Sequence, residues 1–347
     1  MSAAARPLLL ALLAMALPAA AADAPSARTG LQSDVAFADY SPLSRSAELA
    51  RRSLSPLNAI VQRQQAAAAG RAIPDQPIDL SQERFALYVP DQAPPQGYAL
   101  LVFVSPWPGA TVPSRWLPVL DRHGMIFVVA ANAGNDTPTR ERREPLALLA
   151  AYNVMRRYRV DAARVYVGGF SGGSLVALRT ALAYPDLFHG ALLDAGSDPI
   201  GTAIPPPPAE LFRQFQEATR LVYLTGARDD FHIDADNGSL RSLPDWCVFD
   251  VDVEAMPWTG HELANPAALD RALDALGRHN PPDPGRLAEC RAKIDAELAR
   301  QAQQVEALGG AGRSDQAWRA LAALDARYGG LAAQRTIELA ARLHTGR

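Results

Sequence analysis

Arg164-Val165-Tyr166-Val167-Gly168-Gly169-Phe170-Ser171-Gly172-Gly173 reads as an apolar β-run that ends in a serine set between glycines. From Ser174 to Tyr184 the apolar residues return at helical spacing. Strand, sharp turn and helix around Gly169-x-Ser171-x-Gly173 is the setting that a nucleophile elbow requires. The turn is so tight that side chains two residues before and after the serine would clash. The hydroxyl then projects from the carboxyl edge of the sheet. The N–H of Gly172 faces any oxyanion formed there, and the helix start adds a favourable dipole. A bare Gly-x-Ser-x-Gly is a weak motif in a chain with 24 glycines. The competing reading, a phosphate-binding turn, calls for a nearby lysine or a Gly-Lys-Ser/Thr ending. Leu175 and Val176 come next instead.

Similar runs flank this stretch. Phe85–Val89, Tyr98–Val104, Met125–Ala130, Ala191–Leu193, Leu221–Leu224 and an alternating Trp246–Met256 read as strands. Helical spacing appears over Pro145–Tyr158, Ser174–Tyr184 and Ala268–Leu276. Continuous apolar strands alternating with helices imply a doubly wound, mostly parallel α/β sheet with helices on both faces. Residues 23–77 read as an N-terminal extension, 78–280 as the catalytic domain, and 281–347 as a small C-terminal helical appendage.

A serine hydroxyl needs a base, and on this architecture the order along the chain is serine, acid, histidine. Leu221–Leu224 runs into Thr225-Gly226-Ala227-Arg228-Asp229-Asp230. A carboxylate just past a strand is where the acid belongs; Asp229 is preferred and Asp230 stays open, one of the two serving as a turn or cap. His261 follows the last strand and precedes a helix, the place of the base. His189 precedes the acid, and His232 lies only a few residues after it, too close to reach across the site easily.

Asp161-Ala162-Ala163-Arg164-Val165-Tyr166-Val167, leading into the serine turn, and Tyr184-Pro185-Asp186-Leu187-Phe188 together resemble the polyhydroxybutyrate depolymerase and feruloyl esterase branch of the α/β hydrolases. The similarity covers roughly Phe85 to Gly277 and implies an ester hydrolase working through an acyl-enzyme. One segment departs from that branch. Where a His-Gly pair would follow Tyr98–Val104 and complete the oxyanion hole, this chain has Ser105-Pro106-Trp107-Pro108. Prolines have no N–H, so Trp107 is the expected second donor beside Gly172. Phe170 and Trp258 are candidate substrate contacts. Trp116 reads as core, and Asn132–Asp136 as a turn or a substrate-binding loop.

The chain has 347 residues, 48% of them hydrophobic, enough for one large core. With 34 basic and 37 acidic residues the net charge is −3, which offers no nucleic-acid footprint. Arg6, the apolar run Pro7–Leu17 and the small residues to Ala22 read as a cleaved export signal, placing the protein in the periplasm or medium. That run is shorter than the roughly 20 residues of a membrane span. The two cysteines, Cys247 and Cys290, fit either one disulfide in an oxidising compartment, pinning the C-terminal helix to the sheet, or two separate thiols. No metal or cofactor site is readable. Three functions compete: hydrolysis of a small or polymeric ester; peptidase or acyltransferase chemistry on the same residues; and a non-catalytic envelope protein on a hydrolase scaffold, for which the altered Ser105–Pro108 segment is the support.

Overall fold

The computed structural model of the chain describes residues 28–345; the segment read as an export signal, residues 1–22, lies outside them. Eight strands form one sheet: β1 (Gly30–Val35), β2 (Phe85–Val89), β3 (Tyr98–Val104), β4 (Met125–Ala130), β5 (Val160–Phe170), β6 (Gly190–Asp194), β7 (Arg220–Gly226) and β8 (Val251–Met256). Their order is β1-β2-β4-β3-β5-β6-β7-β8. β2 pairs antiparallel with β1 and β4, and the remaining pairs are parallel. Every residue of β3 and β4 is buried, as uninterrupted apolar runs in a sheet covered on both sides should be.

The pleat divides the core in two. One side carries Leu100, Val102, Val104, Val165, Val167, Leu193 and Tyr223. It packs under α1 (Ser46–Ser53), α4 (Glu144–Arg157), α5 (Gly172–Ala183) and α6 (Ala209–Ala218), after the exposed α2 (Pro56–Ala68). The other side carries Leu101, Phe103, Phe127, Leu192 and Leu224 under α3 (Leu117–His123) and α8 (Pro266–Gly277). Because β3 to β8 run parallel, their carboxyl ends share one edge. Register places Val104 beside Gly169 and Phe170 beside Asp194, so the serine turn lies between the loops that leave β3 and β6. Ligands of open parallel sheets gather at such an edge.

Three features differ from the sequence reading. Residues 30–35, assigned to the extension, supply the edge strand β1. Only Gln32 of that strand is buried, so it carries no apolar signal. The stretch Asp230–Leu243, which carries no helical signal in the sequence and reads as a loop shaping the cleft, is the helix α7 (Asp230–Ser242). Its inward residues are the polar Asp236 and Ser239, and Asp236 accepts from Ser197 Oγ at 2.6 Å and from Thr225 Oγ1. Cys247 is not on a strand. It follows a short turn over Pro244–Trp246 with φ of 59°, ahead of β8.

Cys247 is bonded to Cys290 on α9 (Pro284–Gly310), with Cα atoms 5.8 Å apart. The last helices, α10 (Ser314–Tyr328) and α11 (Ala333–Thr345), complete the C-terminal group. Leu287, Val305, Leu321, Leu324 and Leu339 belong to the same continuous core as α4 and α5. Asp325 ties this group to the N-terminal segment, accepting from Ser55 Oγ at 2.5 Å and from the Leu57 N–H at 3.2 Å. Among the described residues, no helix is long and apolar enough to cross a membrane.

Candidate active site

Ser171 lies between β5 and α5 with φ 54° and ψ −127°. That is a conformation non-glycine residues rarely hold unless their surroundings enforce it. Here the Ser171 N–H donates to the Asp194 carbonyl at 2.8 Å, and Ser174 Oγ donates to the Gly196 carbonyl at 2.5 Å. The flanking glycines are sterically required. A β-carbon on Gly169 would overlap the Gly173 carbonyl and lie 2.7 Å from the Ser174 nitrogen. One on Gly173 would overlap the Val104 carbonyl oxygen and lie 2.8 Å from its carbon. As the first residue of α5, Gly172 has an N–H that no helical carbonyl accepts.

His261, on the loop between β8 and α8, reaches the serine: its Nε2 is 2.9 Å from Ser171 Oγ. Its Nδ1 is 2.7 Å from Asp229 Oδ2. Asp229 stands at the end of β7 and immediately before α7 and is 7% exposed. A serine at the elbow after β5, a carboxylate after β7 and a histidine after β8, on this strand order, complete the pattern. The chain has the α/β-hydrolase fold.

No protein-family model matches the chain, and no curated protein matches its sequence. Among solved structures, this α/β-hydrolase fold is similar to a ferulic acid esterase at 16% identity, covering 56% of this chain and 91% of that one with a TM-score of 0.44. It is similar to S-formylglutathione hydrolase FrmB from Staphylococcus aureus at 14% identity, covering 56% and 93% with a TM-score of 0.44. It is also similar to the dipeptidyl peptidase 4 of Porphyromonas gingivalis at 15% identity and a TM-score of 0.41, covering 56% of this chain. The match spans 33% of that peptidase.

Asp229 holds a second imidazole. His232 Nδ1 lies 2.8 Å from Asp229 Oδ1, and the His232 ring stacks on that of His261 with centroids 4.0 Å apart and planes 6° from parallel. Burial opposes ionisation of Asp229, but the hydrogen bonds from His232 and His261 outweigh it and hold the carboxyl below its usual range. The sequence places His232 within a few residues of the acid, too close to reach across the site easily, and the structure puts it on the acid itself. As the third residue of α7, it is returned to Asp229 by one helical turn. Asp230 instead faces solvent in that first turn.

Phe170 is 3% exposed and stacks beneath His261 at 4.7 Å, which makes it a support for the imidazole rather than a wall of a cleft. Trp107 stacks on Phe170 at 5.4 Å and is 50% exposed. Its N–H does not point free into the site, for it donates to Ser105 Oγ at 3.0 Å. Trp258 is 80% exposed, with the Arg228 guanidinium 5.5 Å from its ring. Trp116 is fully buried and donates to the Ala264 carbonyl at 2.8 Å.

Two buried ionisable side chains brace the site. Arg143 donates from Nε to the Ala133 carbonyl (2.9 Å), from Nη1 to Gly172 (3.2 Å) and from Nη2 to Ser105 (3.0 Å). Desolvation pushes its pKa down to about 10, which leaves it a cation at neutral pH. Asp194 accepts the Ala264 N–H on Oδ2 at 2.9 Å, while its Oδ1 has no partner among the described residues. Burial pushes its pKa up to about 8. Among the described residues, Asp229, His232 and His261 have ligand-type atoms within 4.8 Å of one another and form the cluster able to take a metal ion. Asp229 and His232 are three residues apart, but His261 lies 32 residues beyond Asp229, so spacing alone does not bring the third member in. The Nδ1 atoms of both histidines face the shared carboxylate here.

Proposed function

We propose that the chain is a serine hydrolase that cleaves carboxylic esters, with Ser171 as nucleophile, His261 as general base and Asp229 as the acid that orients it. The observation that carries this reading is the unbroken hydrogen-bond chain, 2.9 Å from Ser171 Oγ to His261 and 2.7 Å from His261 to Asp229, at the strained elbow. Ser171 Oγ attacks the acyl carbon while its proton passes to His261 Nε2. The tetrahedral oxygen is met by the Gly172 N–H and the dipole of α5. As the intermediate collapses, His261 returns the proton to the departing alcohol. Water then attacks the acyl-enzyme, giving a proton to His261, which passes it to Ser171 Oγ as the acyl–oxygen bond breaks and the acid leaves. Asp229 keeps the imidazole in the tautomer whose Nε2 can accept. Because its carboxyl is held below the usual range, Asp229 stays anionic and keeps this role on mild acidification.

The ester assignment rests on the resemblance of the Asp161–Gly173 and Tyr184–Phe188 stretches to ester hydrolases. Export rests on the residues up to Ala22, and the Cys247–Cys290 bond suits an oxidising compartment. A mass measurement of the exported chain should place its first residue at Asp23. Product analysis with matched esters and amides, with and without an alcohol acceptor, tests the chemistry. The expected outcome is free acid from esters, lost in Ser171→Ala. Equal turnover of amides, or acyl groups recovered on the acceptor, would replace the ester reading with a peptidase or a transferase.

A further inference from the structure

The loop after β3 is poorly furnished to complete an oxyanion hole. Pro106 and Pro108 have no N–H, and that of Trp107 is engaged by Ser105 Oγ. The space beside Gly172 is taken by a different group. A β-carbon on Gly172 would overlap Oδ1 of Asn135 and lie 2.7 Å from its Cγ and 2.9 Å from its Nδ2. Glycine at 172 is therefore what lets this carboxamide lie against the residue that follows the nucleophile.

Asn135 is well anchored by its backbone. Its N–H donates to the Pro106 carbonyl at 2.9 Å, and the Asn132 N–H donates to the Pro108 carbonyl at 2.6 Å, which zips the β4 loop to the β3 loop. The side chain is exposed and makes no hydrogen bond to the protein among the described residues. Turning its amide end over thus breaks nothing and can present Nδ2 toward the site. The buried Arg143 fixes the three surrounding segments at once, through the carbonyls of Ser105, Ala133 and Gly172.

We propose that the Asn135 carboxamide is the second oxyanion donor, joining the Gly172 N–H on the tetrahedral oxygen, and that Arg143 is the positioning residue that holds the two together. The assignment rests on the Ser171 acyl-enzyme reading. It replaces the backbone donor expected from Trp107 with a side chain from the next loop.

The test is hydrolysis of p-nitrophenyl acetate by the mature protein, by Asn135→Ala and by Asn135→Asp, with a melting temperature for each. Asp keeps the size of Asn but has no N–H donor and adds negative charge. One lost oxyanion donor costs on the order of 100-fold or more in kcat, so both variants should fall at least that far, Asp further than Ala, with KM and melting temperature nearly unchanged. A kcat within about threefold of wild type in either variant would overturn the assignment while leaving the hydrolase reading intact. A fall in kcat that tracks a fall in melting temperature would also overturn it, in favour of a structural role. Wild type without Ser171-dependent turnover would overturn both readings.

Discussion

Asp229 serves two imidazoles through its two oxygens, His261 on Oδ2 and His232 on Oδ1. The stacking of the two rings fixes their planes together. Replacing His232 with Phe keeps an aromatic ring in the stack and removes a hydrogen bond to a buried carboxylate. Such a bond is worth about 1.5–3 kcal/mol, or about 10- to 100-fold in rate if it acts fully in the transition state. His232→Phe should therefore lower kcat by about that range, measured at a pH where wild type is on its plateau. An unchanged kcat would mean that His261 alone positions the acid. Asp194 makes a pH prediction. Its folded pKa of about 8 lies above the usual carboxyl value of 3.8, so the folded state holds a proton that the unfolded chain releases. Stability from the neutral carboxyl is complete below about pH 4 and is lost as pH rises toward 8. Asp194→Asn keeps an acceptor for the Ala264 N–H without the titration. Its melting temperature relative to wild type should climb from pH 5 to pH 8; a constant difference would contradict a buried neutral acid.

At the scale of elements, legibility followed the pattern of burial. β3, β4 and β7 are buried on both faces, so their apolar runs stand out in the sequence. The glycines around Ser171 mark the elbow because backbone contacts forbid side chains there. β1 escaped notice because a solvent-facing edge strand needs no alternation. α7 escaped because its inward side is polar, and its loss from the reading took His232 with it. The donor segment after β3 was legible as a departure, since two prolines are visible, but which group replaces the missing donor depends on a contact between separate loops. The Cys247–Cys290 bond joins the turn before β8 to α9 across a separation of 43 residues. Closing a loop of that size stabilises by about 4 kcal/mol in the chain-entropy account. The double replacement Cys247→Ser, Cys290→Ser should lower the unfolding free energy by up to that amount in denaturant titration. A loss under about 1 kcal/mol would show that packing of α9 holds the turn without the bond.

Over the whole molecule, one sheet edge collects what the chemistry needs. Six strands end there together, and the register of β3, β5 and β6 places the elbow between the loops of its neighbours. The C-terminal helices extend the core on one face, with Asp325 and Ser55 linking them to the N-terminal segment. On the proposed mechanism this assembly activates one serine. A fluorophosphonate, which reacts with an activated serine hydroxyl, tests it on the mature protein with Ser171→Ala alongside. The expected result is a single labelled site on wild type, mapped to the Ser171 peptide, and no label on the variant. Folded wild type that stays unlabelled, or a variant that labels as well as wild type, would contradict it.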